Sequence, residues 1–146
     1  MHTLRSSYLQ ALRAGARTNG LHQSNGVKPT SGLFRLRGDS RRAPGAAWIR
    51  RERLDTLRAS ELEGILPMAP DCVIELRSPS DRIEDLLSKM REYIESGVAL
   101  AWLIDPVERR CYEFRPGQSP ITRLDPAEMS GDPELPGFVL DLRPVW

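Results

Sequence analysis

The feature that most constrains the fold of this chain is an amphipathic helix that lies between two apolar runs. Asp81 and Glu84 have the spacing of a capping box, and Gly97 is typical of a helix end. Apolar residues recur between them at the helical period, namely Ile83, Leu86, Leu87, Met90 and Ile94. The runs at 72–77 and 100–104 are short and apolar, which favours buried strands. Strand, helix and strand in this order predict a βαβ unit with parallel strands and a right-handed crossover.

The N-terminal third of the chain is less regular. Residues 4–16 have several apolar side chains near one helical face, which indicates a helix, whereas the polar, glycine-rich stretch 19–31 is interpreted as loop. Residues 33–37 alternate between apolar and basic, and 46–50 form a second candidate strand. With a turn at 38–40 between them, these two strands are predicted to pair as an antiparallel hairpin.

The remaining segments complete the expected layout. Residues 51–64 carry helix-forming residues and are expected at the surface, and the rest beyond 115 is interpreted as loop with a last strand at 138–142. We expect an irregular segment with a helix at 1–32 and a folded domain at 33–146. The predicted fold class is α/β, a mixed sheet with flanking helices and a βαβ unit in the C-terminal half.

Composition excludes several classes of protein. A chain of 146 residues with 40% hydrophobic and 28% charged residues has the balance of one globular domain. Its longest apolar run, 98–104, is too short to span a membrane, and the N-terminus lacks the apolar core of a secretory signal. Cys72 and Cys111 lie in predicted strands, where thiols are usually small buried hydrophobes. We expect a cytoplasmic protein with reduced thiols and no membrane association.

The net charge of +1 is distributed very unevenly. Residues 1–58 contain 12 Lys and Arg against 3 Asp and Glu, whereas residues 59–146 contain 9 against 17. A basic half of this kind can follow a polyanion, although a solvated basic surface would look the same.

The residue inventory also limits the chemistry. The only histidines, His2 and His22, both lie in the irregular N-terminal stretch. The sequence therefore disfavours a Ser/His/Asp triad and a histidine-rich zinc site. The glycine-rich signatures of P-loops and of dinucleotide-binding folds do not occur. Acid, base and metal chemistry remain.

Glu75 is the most informative acidic residue, because it interrupts an apolar strand that the βαβ unit places inside the sheet. A buried carboxylate needs a partner, since leaving it unpaired costs several kcal/mol. That partner is either Arg77, in a structural ion pair, or a divalent cation, since hard oxygen donors suit Mg²⁺ or Mn²⁺. Asp71 lies roughly 13 Å away along an ideal strand, too far to share the same ion.

Lys89 and Tyr93 are four residues apart on one flank of the predicted helix. A lysine in this position is commonly a solvated rim residue. If the helix crosses back over the end of the Glu75 strand, the ammonium reaches the same pocket, where it can polarise a phosphate or a water.

These residues together resemble the Uma-two family of restriction-endonuclease-like proteins. The resemblance covers 33–142 and rests on the segments 70–81 and 102–106, on Lys89 and on Tyr93, with a further match at 135–138. It implies the PD-(D/E)xK nuclease fold and metal-dependent hydrolysis of DNA phosphodiesters. It also implies that Glu75 is the metal ligand and Lys89 the catalytic lysine, with Mg²⁺ or Mn²⁺ as cofactor and DNA as partner.

Further roles follow within the same resemblance. Arg77, Tyr93 and Asp71 are expected to support the two catalytic residues. Sequence-independent contacts to nucleic-acid phosphates are expected from the basic half, through Arg35, Arg37, Arg41 and Arg42.

The chain departs from the family pattern at Gly45, which stands where the family has an aspartate. Glycine offers no carboxylate, and loss of a ligand weakens Mg²⁺ binding. The sequence therefore leaves two functions open: a metal-dependent endonuclease impaired at this position, or an inactive member that binds DNA or a partner protein. It also leaves open a destabilised domain, because the N-terminal segment is irregular, and a homodimer, because the tryptophans at 48, 102 and 146 include a candidate interface residue.

Overall fold

The computed structural model describes residues 16–18, 28–30 and 32–146. In chain order, the strands are β1 (Ala16–Thr18), β2 (Lys28–Thr30), β3 (Phe34–Arg35), β4 (Arg41–Arg42), β5 (Ala46–Ile49), β6 (Cys72–Leu76), β7 (Leu100–Asp105), β8 (Arg110–Phe114), β9 (Ile121–Leu124), β10 (Glu128–Ser130) and β11 (Phe138–Asp141). The helices are α1 (Arg51–Leu54), α2 (Ala59–Leu62) and α3 (Ile83–Glu95).

The central element is a six-stranded mixed sheet with the order β2-β5-β6-β7-β8-β9. Strands β6 and β7 are parallel, with Cys72 opposite Leu100, and every other neighbouring pair is antiparallel. Because α3 connects β6 to β7, the predicted βαβ unit and the α/β fold class are confirmed.

The two faces of this sheet are covered by different structures. Val73 and Leu103 face α3 and pack with Met90. On the other face, Trp102 packs against Phe138 of a three-stranded sheet with the order β1-β11-β10, and their ring centroids are 6.1 Å apart. Burial of alternate strand residues on both faces explains why β6 and β7 are buried along their whole length.

The predicted hairpin between 33–37 and 46–50 is wrong. Strand β3 pairs with β4 instead, because Gly38 (φ 71°) and Asp39 (φ 62°) turn the chain back at once. Strand β5 then pairs with β2 and β6 and becomes part of the central sheet.

Three other expectations need correction. Part of the predicted loop at 19–31 is strand β2, and β9 and β10 lie in the predicted C-terminal loop. The capping box is also wrong: α3 begins at Ile83, and the Asp81 carboxylate accepts a hydrogen bond from the Ser78 backbone N–H (2.8 Å). The predicted helix at 4–16 lies outside the described residues, apart from its last residue, which belongs to β1.

The short helices α1 and α2 contain no buried residue, as expected of a surface segment. Cys72 and Cys111 are fully buried, which confirms their assignment as core residues. Within the described part of the chain, every helix is too short or too polar to cross a membrane.

Candidate active site

The site centres on Glu75, which lies one residue before the end of β6 and is 1% exposed. Two donors from α3 meet its Oε1 atom. The Lys89 Nζ atom lies 2.7 Å away, and the Tyr93 hydroxyl donates a hydrogen bond of 2.8 Å. Lys89 and Tyr93 are one helical turn apart, so both project from the same flank of α3 toward the carboxylate.

The local sequence explains this convergence. Alternation along β6 puts Glu75 on the same face as Val73, which packs against α3. Lys89 has a side chain that is 21% exposed, and its ammonium lies 5.9 Å from the centre of the Tyr93 ring. Burial raises the pKa of Tyr93, and the Glu75 carboxylate raises it further, so the phenol stays protonated and remains a donor.

Gly45 immediately precedes β5 and lies in a bend of the chain, outside the paired residues. The first residue of β5, Ala46, pairs with Ile74 of the antiparallel strand β6. Gly45 and Glu75 are therefore the next residues beyond this pair. Glycine has no side chain that could contribute a ligand.

A divalent cation finds few ligands here. Among the residues that the structure describes, no group of three or more His, Cys, Asp and Glu side chains could hold a metal ion. Mg²⁺ needs only one or two carboxylates when water and a substrate phosphate complete its shell. At the Glu75 centre the described residues offer a cation this one carboxylate.

Two of the predicted supporting residues lie apart from this centre. Arg77 donates to the buried Asp105 through Nη1 at 2.7 Å, so the alternative Glu75–Arg77 ion pair is not present. Asp71, at the opposite end of β6, accepts from the Arg50 backbone N–H (2.8 Å) and pairs with Arg53 (2.9 Å). Asp71 thus anchors the start of β6, and Asp105 anchors Arg77 just beyond the end of β6.

The four predicted phosphate-binding arginines occupy the segment around β3 and β4. Arg35 pairs with Asp39 at 3.2 Å, and the Arg37 backbone N–H donates to Ser96 at 3.3 Å. Arg37 and Arg41 are exposed. Arg42 alone among the four has a described contact with the part of α3 that carries Lys89 and Tyr93.

That contact involves Glu92, which the sequence reasoning did not single out. The Arg42 Nε and Nη2 atoms lie 2.8 and 2.7 Å from the same Glu92 oxygen, Oε2. Burial acts to raise the pKa of Glu92, but hydrogen bonds with the Ser40 and Arg42 side chains and the charges of Arg42 and Lys89 outweigh it and lower the pKa. The available signal was the spacing of Glu92, three residues after Lys89 on one helix.

Comparisons with known proteins agree with this architecture. The family model described as "Uma2: Putative restriction endonuclease" matches residues 3–143, so the relationship extends well before residue 33. The crystal structure of a putative nuclease from Anabaena variabilis superimposes with a TM-score of 0.74 at 17% identity, covering 99% of this chain and 78% of that chain. No curated protein matches the chain. The protein belongs to the Uma2 (Uma-two) family and has a restriction-endonuclease-like nuclease fold.

Proposed function

We propose that this protein is a nuclease that hydrolyses DNA phosphodiester bonds with the help of Mg²⁺ or Mn²⁺, using Glu75 and Lys89. The observation that carries the proposal is the 2.7 Å contact between Lys89 Nζ and the buried Glu75 carboxylate. An acid and an ammonium from different elements, brought together at the end of a sheet strand, supply both a cation ligand and a positive charge for a phosphate.

The roles of the side chains follow from their surroundings. Glu75 would hold the metal ion, which supplies Lewis-acid stabilisation of the phosphate and acidifies bound water. Lys89 is partly exposed, so its ammonium can orient the attacking water or stabilise charge on the phosphate oxygens. Tyr93 is a positioning residue, because its hydroxyl fixes one oxygen of the Glu75 carboxylate.

A second candidate function is supported by Gly45. Gly45 directly follows the last β5–β6 pair, Ala46–Ile74, on the Glu75 side and carries no carboxylate. A metal site with a single carboxylate would be weak. In this alternative the chain keeps the fold and binds DNA, or a partner protein, without cleaving DNA.

The experiment uses purified protein, supercoiled plasmid and either Mg²⁺ or Mn²⁺, with agarose-gel detection of nicked product. Glu75→Gln is compared with Glu95→Gln, which removes an exposed carboxylate from helix α3. We expect nicking by the wild type and by Glu95→Gln, and none by Glu75→Gln. Gly45→Asp is expected to nick faster than the wild type, because it adds a carboxylate on the Glu75 side of the last β5–β6 pair.

The outcomes separate the two functions. Cleavage by Gly45→Asp alone would support the non-catalytic protein. Absence of cleavage by both the wild type and Gly45→Asp, or nicking that persists in Glu75→Gln, would rule out the proposed hydrolysis at this site.

A further inference from the structure

A second ion pair, Arg42–Glu92, lies beside the Glu75 site. Glu92 immediately precedes Tyr93 on α3, and the positive charge of Arg42 acts on the Tyr93 hydroxyl, lowering its pKa against the larger effect of burial. The charge of Lys89 likewise acts on Glu92. Arg42, Glu92, Lys89 and Glu75 therefore form one row of alternating charges that crosses from strand β4, over helix α3, to strand β6.

The geometry of the Arg42–Glu92 pair leaves the arginine available. Both donating nitrogens of Arg42 meet a single carboxylate oxygen rather than one oxygen each. The planar guanidinium is best matched by two acceptor oxygens side by side, as a phosphate presents them. The Arg42 side chain is also 40% exposed and that of Glu92 28% exposed, so a ligand can approach the pair from solvent.

We propose that Glu92 is an exchangeable counter-ion: it holds Arg42 at the edge of the Glu75 site when no nucleic acid is bound, and Arg42 transfers to a backbone phosphate when nucleic acid binds. The proposal rests on the proposed nuclease function, because that function defines the ligand as a nucleic-acid strand. It assigns Arg42 as the phosphate-contacting arginine nearest the catalytic residues and Glu92 as the residue that limits the affinity of this contact.

Arg91 provides a control for Arg42. It is an exposed arginine on α3, next in sequence to Glu92, and it is not among the arginines expected to contact phosphate. Consecutive residues on a helix point about 100° apart, so Arg91 and Glu92 project in different directions. Replacing either arginine by glutamine removes the same charge from the neighbourhood of Glu92.

The test measures binding of a fluorescein-labelled DNA duplex by anisotropy, in EDTA and over a series of NaCl concentrations. We expect Arg42→Gln to weaken binding about tenfold at low salt and to reduce the slope of log K against log salt by about 1, as loss of one phosphate contact does. Arg91→Gln is expected to leave this slope unchanged. A merely structural role of Arg42 would lower thermal stability without changing the salt slope of the folded protein.

Glu92→Gln tests the counter-ion directly. It should tighten DNA binding more than Glu95→Gln, which removes an equal charge from an exposed position on the same helix. The additional DNA affinity of Glu92→Gln should disappear when Arg42→Gln is also present, because Glu92 acts through Arg42.

The proposal is overturned if the wild type does not bind the duplex, if the salt slopes of Arg42→Gln and Arg91→Gln are equal, or if Glu92→Gln binds no more tightly than Glu95→Gln. Because EDTA prevents metal-dependent cleavage, the binding result is independent of hydrolysis. If DNA binding depends on Arg42 but the protein nicks no plasmid, the proposed hydrolysis is rejected and the counter-ion role of Glu92 is kept.

Discussion

Removal of the Lys89 ammonium should destabilise the fold more than neutralisation of its partner Glu75. In Lys89→Met, a carboxylate that is 1% exposed keeps only the Tyr93 hydrogen bond. Breaking a buried ion pair by removing one partner costs about 3–5 kcal/mol. Because the Lys89 side chain is 21% exposed and Tyr93 still donates, we place the loss at the low end, about 3 kcal/mol.

Glu75→Gln should be milder. The amide oxygen still accepts from Tyr93, and the Lys89 ammonium can turn to water, so we expect a loss of about 1 kcal/mol. For a domain of this size, 1 kcal/mol corresponds to a change in melting temperature of about 3 °C. The expected decreases are therefore about 9 °C for Lys89→Met and about 3 °C for Glu75→Gln, measured by calorimetry and by urea unfolding.

The double variant gives the sharpest result. Lys89→Met combined with Glu75→Gln should be more stable than Lys89→Met alone, because the unpaired buried charge is gone. Arg91→Met, which removes an exposed positive charge from the same helix, should stay within about 0.5 kcal/mol of the wild type. A Lys89→Met protein as stable as Arg91→Met, or a double variant less stable than Lys89→Met, would refute the buried contact.

Two further predictions concern residues outside the site. Burial acts to raise the pKa of Glu113, but hydrogen bonds from Trp102 and Arg115 outweigh burial and lower the pKa. The Glu113 carboxylate therefore stabilises the fold above the unfolded pKa of about 4.3. This stabilisation is lost as the pH falls through the lower pKa of the folded state. Urea unfolding should show the stability advantage of the wild type over Glu113→Gln constant near pH 7 and shrinking below about pH 4; an advantage that grows on acidification would contradict the network. Burial raises the pKa values of the Cys72 and Cys111 thiols. A thiol reagent should therefore label neither cysteine in the folded protein at pH 7, and both in urea. Rapid labelling of the folded protein would contradict their packing.

The parts of the fold that could be predicted are those with local signals. The periodicity of α3 and the apolar runs at β6 and β7 depend on short stretches of chain, and together they dictate the parallel pairing. Strand β9 gave no such signal, because all four of its residues are exposed. The β1-β11-β10 sheet depends on pairing between the two ends of the chain, which no local pattern encodes.

The site follows the same division. Alternation along β6 and the helical wheel of α3 put Glu75 and Lys89 on facing elements, but their separation depends on how α3 lies across the sheet. Arg77 was an equally reasonable partner for Glu75 until the fold placed it against Asp105, 28 residues away in sequence. The Arg42–Glu92 pair spans 50 residues, which no spacing rule could anticipate.

Gly45, the glycine that precedes β5, has a consequence at the level of the gene. Every glycine codon becomes an aspartate or glutamate codon through a single G-to-A transition at its middle base. One point mutation therefore places an acidic side chain directly before the strand that pairs with β6.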